Sequence, residues 1–81
     1  GVRCVTIDHA NWDTHDNNFS QLKDSLCPLL DVSLSALVED LSERGMDKDV
    51  IVLVWGEFGR TARINIKAGR DHWLPVMSAL I

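Results

Sequence analysis

The residues of this chain that could do chemistry are acids, imidazoles and arginines gathered at three places. Asp13 and His15 stand two positions apart, Glu57 follows an apolar run, and Asp71 and His72 are adjacent. Carboxylate oxygens and imidazole nitrogens are common protein ligands of divalent metals. Neighbouring arginines add forked donors that match the oxygens of phosphate or sulfate. These arginines are Arg60, Arg63 and Arg70. The residue types together predict a metal site that meets an anion.

The spacing of Asp13 and His15 favours one shared site only where the backbone is extended or looped. Residues i and i+2 of an extended chain point to the same side, whereas on a helix they diverge. The surrounding residues 8–18 are almost wholly polar, which predicts a loop. The alternative is that Asp13 or Asp16 caps the following helix and that His15 is an ordinary solvated residue.

Glu57, Asp71 and His72 also have simpler structural explanations. A carboxylate next to an apolar strand is rarely buried without a partner, and an ion pair between Glu57 and Arg60 or Arg63 would supply one. Asp71 and His72 would point to opposite faces of an extended chain. They would then serve two metals, or one would bind the ion while the other orients a ligand. The arginines could equally neutralise these acids.

Two apolar runs predict the strands that would bring these residues together. Residues 2–7 and 50–55 are rich in β-branched side chains, and the order strand, loop, helix, strand, loop, helix predicts a parallel α/β sheet covered by helices. Residues 8–18 and 56–71 are the polar loops that follow the strands, and residues 74–81 predict another helix. Open α/β sheets bind ligands beyond the carboxyl ends of their strands. We therefore expect the two loops to meet at one edge.

A long helix is predicted between the two strands, over residues 17–44. Apolar residues recur there at three- and four-residue steps, which is typical of one helix face. Asp16, Asn17 or Asn18 is expected to cap its start, and Gly45 to end it. Pro28 removes a hydrogen bond and predicts a break or kink. The apolar face is expected to be core, with an assembly surface as the alternative.

Size and charge exclude some classes of protein. The 81 residues allow one domain at most, and we expect residues 1–81 to be a single partial domain, a fragment of a larger one. A net charge of −4 argues against a nucleic-acid-binding module, which usually carries a basic face. No apolar run approaches the roughly 20 residues of a membrane span. Cys4 and Cys27 are expected to be buried free thiols, with a disulfide between them as the alternative.

Three motifs in series indicate a family. They are WDTHDNNF at residues 12–19, GEFGRT at residues 56–61 and GRDHW at residues 69–73. Over essentially its whole length the chain resembles the DUF1501 family, and the motifs occur in the expected order. The resemblance implies an alkaline phosphatase-like and sulfatase-like fold, in which a nucleophile lies above one or two divalent metals. Family members often carry a twin-arginine export signal, which would place the longer protein in the periplasm.

The resemblance also implies roles for individual residues. A divalent metal, whether zinc, calcium or manganese, would be held by a set of acids and imidazoles, and Arg60 would be the catalytic residue that meets the anion. The implied metal ligands are Asp13, His15, Glu57, Asp71 and His72. Asp13 and His15 are two apart where the superfamily more often has four, and the nucleophile is expected upstream of this chain.

These expectations lead to two functional hypotheses. The first is a fragment of a metal-dependent hydrolase of phosphate or sulfate esters, with an anionic small-molecule ester as substrate and no activity in the fragment alone. The alternative is a non-catalytic exported α/β protein that retains the fold and a structural metal. A complete sequence with no Ser, Thr or Cys at the end of the first strand would favour the alternative.

Overall fold

The computed structural model describes residues 1–81 as a mixed α/β arrangement, so the α/β class is confirmed at that level. One continuous helical rod comprises α1 (Asn18–Gln21), a π-helical segment (Leu22–Leu26) and α2 (Cys27–Glu43). Four two-residue strands follow it: β1 (Val54–Trp55), β2 (Gly59–Arg60), β3 (His72–Trp73) and β4 (Ala79–Leu80).

The strands form two separate antiparallel pairs, and the predicted parallel sheet is not found within these 81 residues. β1 pairs with β4, and β2 pairs with β3. Residues 2–7 form no strand, only Val54–Trp55 of the run at 50–55 is one, and residues 74–81 form a turn and β4 instead of a helix. A strand needs a partner for its backbone donors and acceptors. Within these 81 residues the segment 2–7 has none.

The end of the helix agrees with the prediction. Gly45 has a φ of 69°, the left-handed conformation that glycine adopts without steric cost. Its N–H donates to the Ser42 carbonyl at 3.0 Å, and the Met46 N–H donates to the Leu41 carbonyl at 2.8 Å. These two bonds form a Schellman motif, which satisfies carbonyls that the helix leaves free.

Two details of the helix differ from the predictions. No side chain caps the start, where Asn17 occupies the N-cap position with a φ of 45° and makes no capping hydrogen bond. Pro28 does not break the helix, because the π-helical segment lies directly before it. A proline ring clashes with the carbonyl four residues earlier, here that of Asp24. Asp24 lies inside the wider π turn, which changes the local carbonyl positions.

The apolar surface of the chain is largely uncovered. The radius of gyration is 15.3 Å, against roughly 12 Å for a compact chain of this length. Leu26 is the one buried large apolar side chain, whereas Val2, Val5 and Ile51 are at least 78% exposed. The apolar face of the helix is therefore only partly buried, and the prediction that it is core is wrong within this chain. No helix is long and apolar enough to cross a bilayer.

The cysteines also differ from the prediction. Cys4 and Cys27 are free thiols, but both are exposed instead of buried. No disulfide joins them.

Replacing Gly45 with Ala should destabilise the helix end by about 1 kcal/mol, because an L-residue in the left-handed region carries a steric cost of that order. Chemical denaturation followed by far-ultraviolet circular dichroism measures the change. Gly56→Ala is the matched control, since Gly56 has open space around the position of a Cβ atom and no positive φ. Equal stability of the Gly45→Ala variant and the control would contradict the assigned role.

Candidate metal site

Three potential ligand atoms converge where the two polar loops meet. Asp13 Oδ1 lies 2.7 Å from His72 Nε2 and 3.0 Å from His15 Nε2. The two Nε2 atoms are 3.1 Å apart. We call Asp13, His15 and His72 the triad. Their side chains are 38–66% exposed, so a dissolved ion can reach them directly.

The backbone at residues 13–15 places the side chains of Asp13 and His15 on one side and the side chain of Thr14 on the other. The Thr14 N–H donates to the Trp12 carbonyl at 2.9 Å, and the His15 N–H donates to the Asp13 carbonyl at 3.1 Å. These successive three-residue turns direct Asp13 and His15 to the same side. The Thr14 side chain, 2% exposed, points the other way. Asp13 therefore does not cap the helix, which was the simpler explanation of the motif.

Thr14 is anchored beneath the triad by a buried polar pair. Its hydroxyl donates to Asn18 Oδ1 at 2.5 Å, and Asn18 is 3% exposed. A buried hydroxyl or amide without a partner is costly, so each of these groups fixes the other. The pair joins the triad loop to the first turn of α1.

A second segment, residues 65–70, runs beside residues 14–18 and holds them by backbone hydrogen bonds. We call it the 65–70 loop. Asn17 and Asn18 donate their N–H groups to the carbonyls of Lys67 and Ala68, both at 2.9 Å. In the other direction the Arg70 N–H donates to the Thr14 carbonyl at 3.2 Å. These bonds, and no parallel sheet, bring the two polar loops together.

Gly69 allows this close approach. It is buried, and a Cβ atom at this position would overlap the His15 carbonyl group and the Asp16 backbone nitrogen. Only a residue without a side chain fits between the two segments.

His72 reaches the triad from β3. Its strand pairs with β2 in a register that sets Arg60 opposite His72. The Phe58 ring packs against the His72 imidazole with a centroid distance of 4.5 Å, and the two imidazoles of the triad lie 4.6 Å apart between centroids. The β2–β3 pair and the Phe58 ring thus fix the position of the His72 imidazole.

Asp71 contacts His15 on the ring nitrogen that faces away from the triad. His15 Nδ1 lies 2.7 Å from Asp71 Oδ1. This hydrogen bond raises the pKa of His15 above its ordinary value of 6.5 and lowers the pKa of Asp71. It also sets the tautomer, because a proton on Nδ1 leaves the Nε2 lone pair pointing into the triad. A carboxylate behind a histidine ligand is a common arrangement in metal sites.

Arg60 is the counter-charge of Asp13. Its Nη2 donates to Asp13 Oδ1 at 2.6 Å and to the Trp12 carbonyl at 3.2 Å, while Nη1 donates to the Arg70 carbonyl at 3.1 Å. The hydrogen bonds from His72 and then Arg60 hold the pKa of Asp13 well below its ordinary value of 3.8. Asp13 is therefore ionised throughout the physiological range.

The other predicted residues lie outside this cluster. Glu57 is exposed and belongs neither to the triad nor to an ion pair; it lines an open cavity with Trp55, Gly56 and Met77. The ion pair with Arg60 or Arg63, which was its alternative explanation, is absent, and Arg60 pairs with Asp13. Arg70 donates to the carbonyls of Thr61 and Ala62.

Asn65, Gly69 and Thr14 contribute to the site and were not among the predicted residues. Asn65 donates to the His15 carbonyl at 2.7 Å. A sequence signal existed for this loop, since an Asn side chain commonly accepts from the backbone N–H two residues on, as Asn65 does from Lys67. The burial of Thr14 had no signal in the sequence.

The triad has the dimensions of one face of a metal coordination sphere. Ligand atoms roughly 2.0–2.2 Å from an ion lie roughly 2.8–3.1 Å apart in octahedral geometry and 3.3–3.6 Å apart in tetrahedral geometry. The observed separations of 3.0 and 3.1 Å lie in the octahedral range and that of 2.7 Å just below it, whereas all three would have to widen for tetrahedral geometry. Three protein ligands also leave positions open for water or substrate, as in catalytic sites. The residues present therefore fit a divalent ion.

Replacing Asp71 with Asn should lower the pKa of His15 towards 6.5, because the amide oxygen still accepts from Nδ1 but carries no charge. Nuclear magnetic resonance titration of the imidazole ring protons measures this, and the ring signals of His9 serve as internal control. The raised pKa of His15 and the lowered pKa of Asp71 mean that the pair stabilises the folded chain fully between pH 3.8 and pH 6.5. The effect is lost as pH rises through the folded-state pKa of His15 and as pH falls through that of Asp71. An unchanged His15 titration would contradict the assigned contact.

Replacing Gly69 with Ala should destabilise the chain by about 1–3 kcal/mol, since the added methyl group forces the 65–70 loop away from the His15 backbone. Denaturant unfolding measures the loss, again with Gly56→Ala as control. Equal stability of the two variants would show that the loop can move aside without cost.

Comparison with known proteins gives a family and no characterised relative. No curated protein and no solved structure matches the chain significantly. The family described as "Protein of unknown function (DUF1501)" matches residues 1–81. The match covers the whole chain and includes all three members of the triad. The chain therefore belongs to the DUF1501 family.

Proposed function

We propose that this chain carries the metal-binding part of a metal-dependent hydrolase of phosphate or sulfate esters. The observation that supports the proposal is the convergence of one carboxylate oxygen and two imidazole nitrogens within 3.1 Å of one another. Asp13, His15 and His72 would hold the ion, and Asp71 would orient His15. When bound, a divalent ion polarises an ester oxygen and lowers the pKa of a bound water.

The donor set narrows the choice of metal. Calcium takes six to eight oxygen ligands, whereas the triad offers two nitrogens and one oxygen. Imidazole suits zinc and other transition metals. Among zinc, calcium and manganese we therefore propose zinc or manganese, with zinc favoured at tetrahedral geometry and manganese at octahedral geometry.

The arginines supply the proposed contact with an anionic ester. Arg60 lies at the triad, and its Nη2 is 2.6 Å from the same Asp13 oxygen that would bind the ion. An ion on that oxygen would compete with Arg60 for it, which leaves the guanidinium free to donate to a substrate oxygen. Arg63 makes no ion pair and lines a cavity of about 380 Å³ that Asn65 and Asp71 also line. This cavity is the proposed entry side for the ester.

The fold proposed for the longer protein is alkaline phosphatase-like. The exposed β-branched runs at residues 2–7 and 50–55 support this, because buried parallel strands read as continuous apolar segments. Further strands would have to lie beside them and cover side chains such as Val5 and Ile51, which are 78% and 84% exposed here.

The metal proposal is tested by titrating the chain with Zn²⁺ and with Mn²⁺ in a calorimeter. Replacing His15 or His72 with Ala should weaken binding of the preferred ion at least about 100-fold. Each substitution removes a direct ligand, and loss of a residue that only hydrogen-bonds to a ligand already lowers metal affinity roughly 10–100-fold. His9→Ala is the matched control, because the third histidine packs edge-on against Trp12 outside the triad. Equal affinity in all three variants would refute the site.

An assay of ester hydrolysis distinguishes the hydrolase from the non-catalytic alternative. The longer protein, loaded with the preferred ion, should hydrolyse an aryl phosphate or aryl sulfate, and His72→Ala should abolish turnover. Binding of the ion without turnover of either ester would favour a structural or ligand-binding metal. The alternative draws support from the exposure of the triad, because water-excluded sites strengthen electrostatic catalysis.

A further inference from the structure

We propose that Asn65 is a positioning residue for the metal triad. Its side-chain amide fixes the backbone of His15 and, through Asp71, the ring of His15, so that Nε2 faces the ion. The inference rests on the proposed metal-binding function and adds a residue that no motif indicated.

The side-chain NH₂ group of Asn65 contacts the main chain of His15 directly and its imidazole through Asp71. Asn65 Nδ2 donates to the His15 carbonyl at 2.7 Å and to Asp71 Oδ1 at 3.1 Å. That carboxylate oxygen also lies 2.7 Å from His15 Nδ1. One amide group therefore closes a ring of contacts through the His15 main chain, the His15 imidazole and the Asp71 carboxylate. Rotation of the imidazole away from the triad would break this ring.

The acceptor side of the amide fixes its own orientation. Asn65 Oδ1 accepts from the backbone N–H groups of Lys67 and Gly69, both at 2.9 Å. An exchange of the amide oxygen and nitrogen would set an NH₂ group against two donors and an oxygen against a carbonyl and a carboxylate. The environment thus permits one orientation, and the donor hydrogens must point at His15 and Asp71.

Replacing Asn65 with Asp separates the donor contacts of the amide, to His15 and Asp71, from its acceptor contacts within the 65–70 loop. Asn65→Asp keeps the shape and the acceptor oxygen that holds the 65–70 loop, but it cannot donate to His15 or Asp71. Its added negative charge attracts a cation, so electrostatics alone would tighten metal binding. Loss of the positioning contacts should weaken Zn²⁺ binding roughly 10–100-fold instead, as outer partners of metal ligands typically do. The two explanations therefore predict opposite signs.

The experiment compares Asn65→Asp with Asn17→Asp in Zn²⁺ calorimetry and in the visible spectrum of the Co²⁺-loaded chain. Asn17→Asp adds the same charge two residues from His15, and the Asn17 side chain makes no hydrogen bond that the substitution would remove. We expect weaker Zn²⁺ binding and an altered Co²⁺ spectrum in Asn65→Asp only. Gly45→Ala, which destabilises the helix end alone, should leave the spectrum unchanged.

Two outcomes would overturn the inference. One is Zn²⁺ affinity in Asn65→Asp that equals or exceeds that of the unsubstituted chain. The other is rapid solvent exchange of the Asn65 side-chain amide protons in the unsubstituted, metal-free chain, where the hydrogen bonds predict slow exchange. Because the exchange measurement uses the unsubstituted chain without metal, it does not depend on whether the Asn65→Asp variant folds. A chain that binds no Zn²⁺ but protects these protons would refute the metal function and leave the positioning contacts intact.

Discussion

The site depends on three potential ligand atoms that are held within hydrogen-bond distance of one another. Asp13 Oδ1, His15 Nε2 and His72 Nε2 lie within 3.1 Å of one another. In the metal-free chain His72 Nε2 donates to Asp13 Oδ1. Asp71 accepts from His15 Nδ1–H, which leaves the Nε2 lone pair of His15 facing the cluster. Arg60 supplies one positive charge from the side, and the surrounding hydrogen bonds keep the three atoms in place.

The scaffold for this cluster is local backbone pairing. The 65–70 loop and residues 14–18 exchange hydrogen bonds in both directions, and the short β2–β3 pair brings His72 alongside. These polar contacts form an ordered site in a chain whose only buried large apolar side chain is Leu26. Site and core are thus largely independent here: the site is held by directional hydrogen bonds, whereas hydrophobic burial requires apolar partners that these 81 residues do not supply.

The sequence predicted the features that depend on near neighbours. The helix and its end at Gly45 follow from local periodicity and one special φ. The meeting of residues 13–15 with residues 71–72 was predicted from a parallel sheet edge, whereas backbone bonds to the 65–70 loop and the β2–β3 pair produce it. The predicted parallel sheet is absent because residues 2–7 find no strand partner within these 81 residues. Glu57 does follow a strand end, that of β1, but β1 pairs with β4 and not with the β2–β3 pair that carries His72, and Glu57 lies outside the triad. Asn65 was missed because its role arises from four contacts that only the folded loop creates.

The balance of charge at the triad bears on the proposed binding of an anionic ester. The cluster contains two carboxylates, Asp13 paired with the Arg60 guanidinium and Asp71 paired with His15, so it carries one net negative charge when its imidazoles are neutral. That charge attracts a divalent cation and repels a phosphate or sulfate ester. With a divalent ion bound, the same residues carry one net positive charge and attract the ester. Binding of the anion would therefore follow binding of the metal. The negative charge of Asp71, which repels an anion in the metal-free chain, would be offset by the charge of the bound ion.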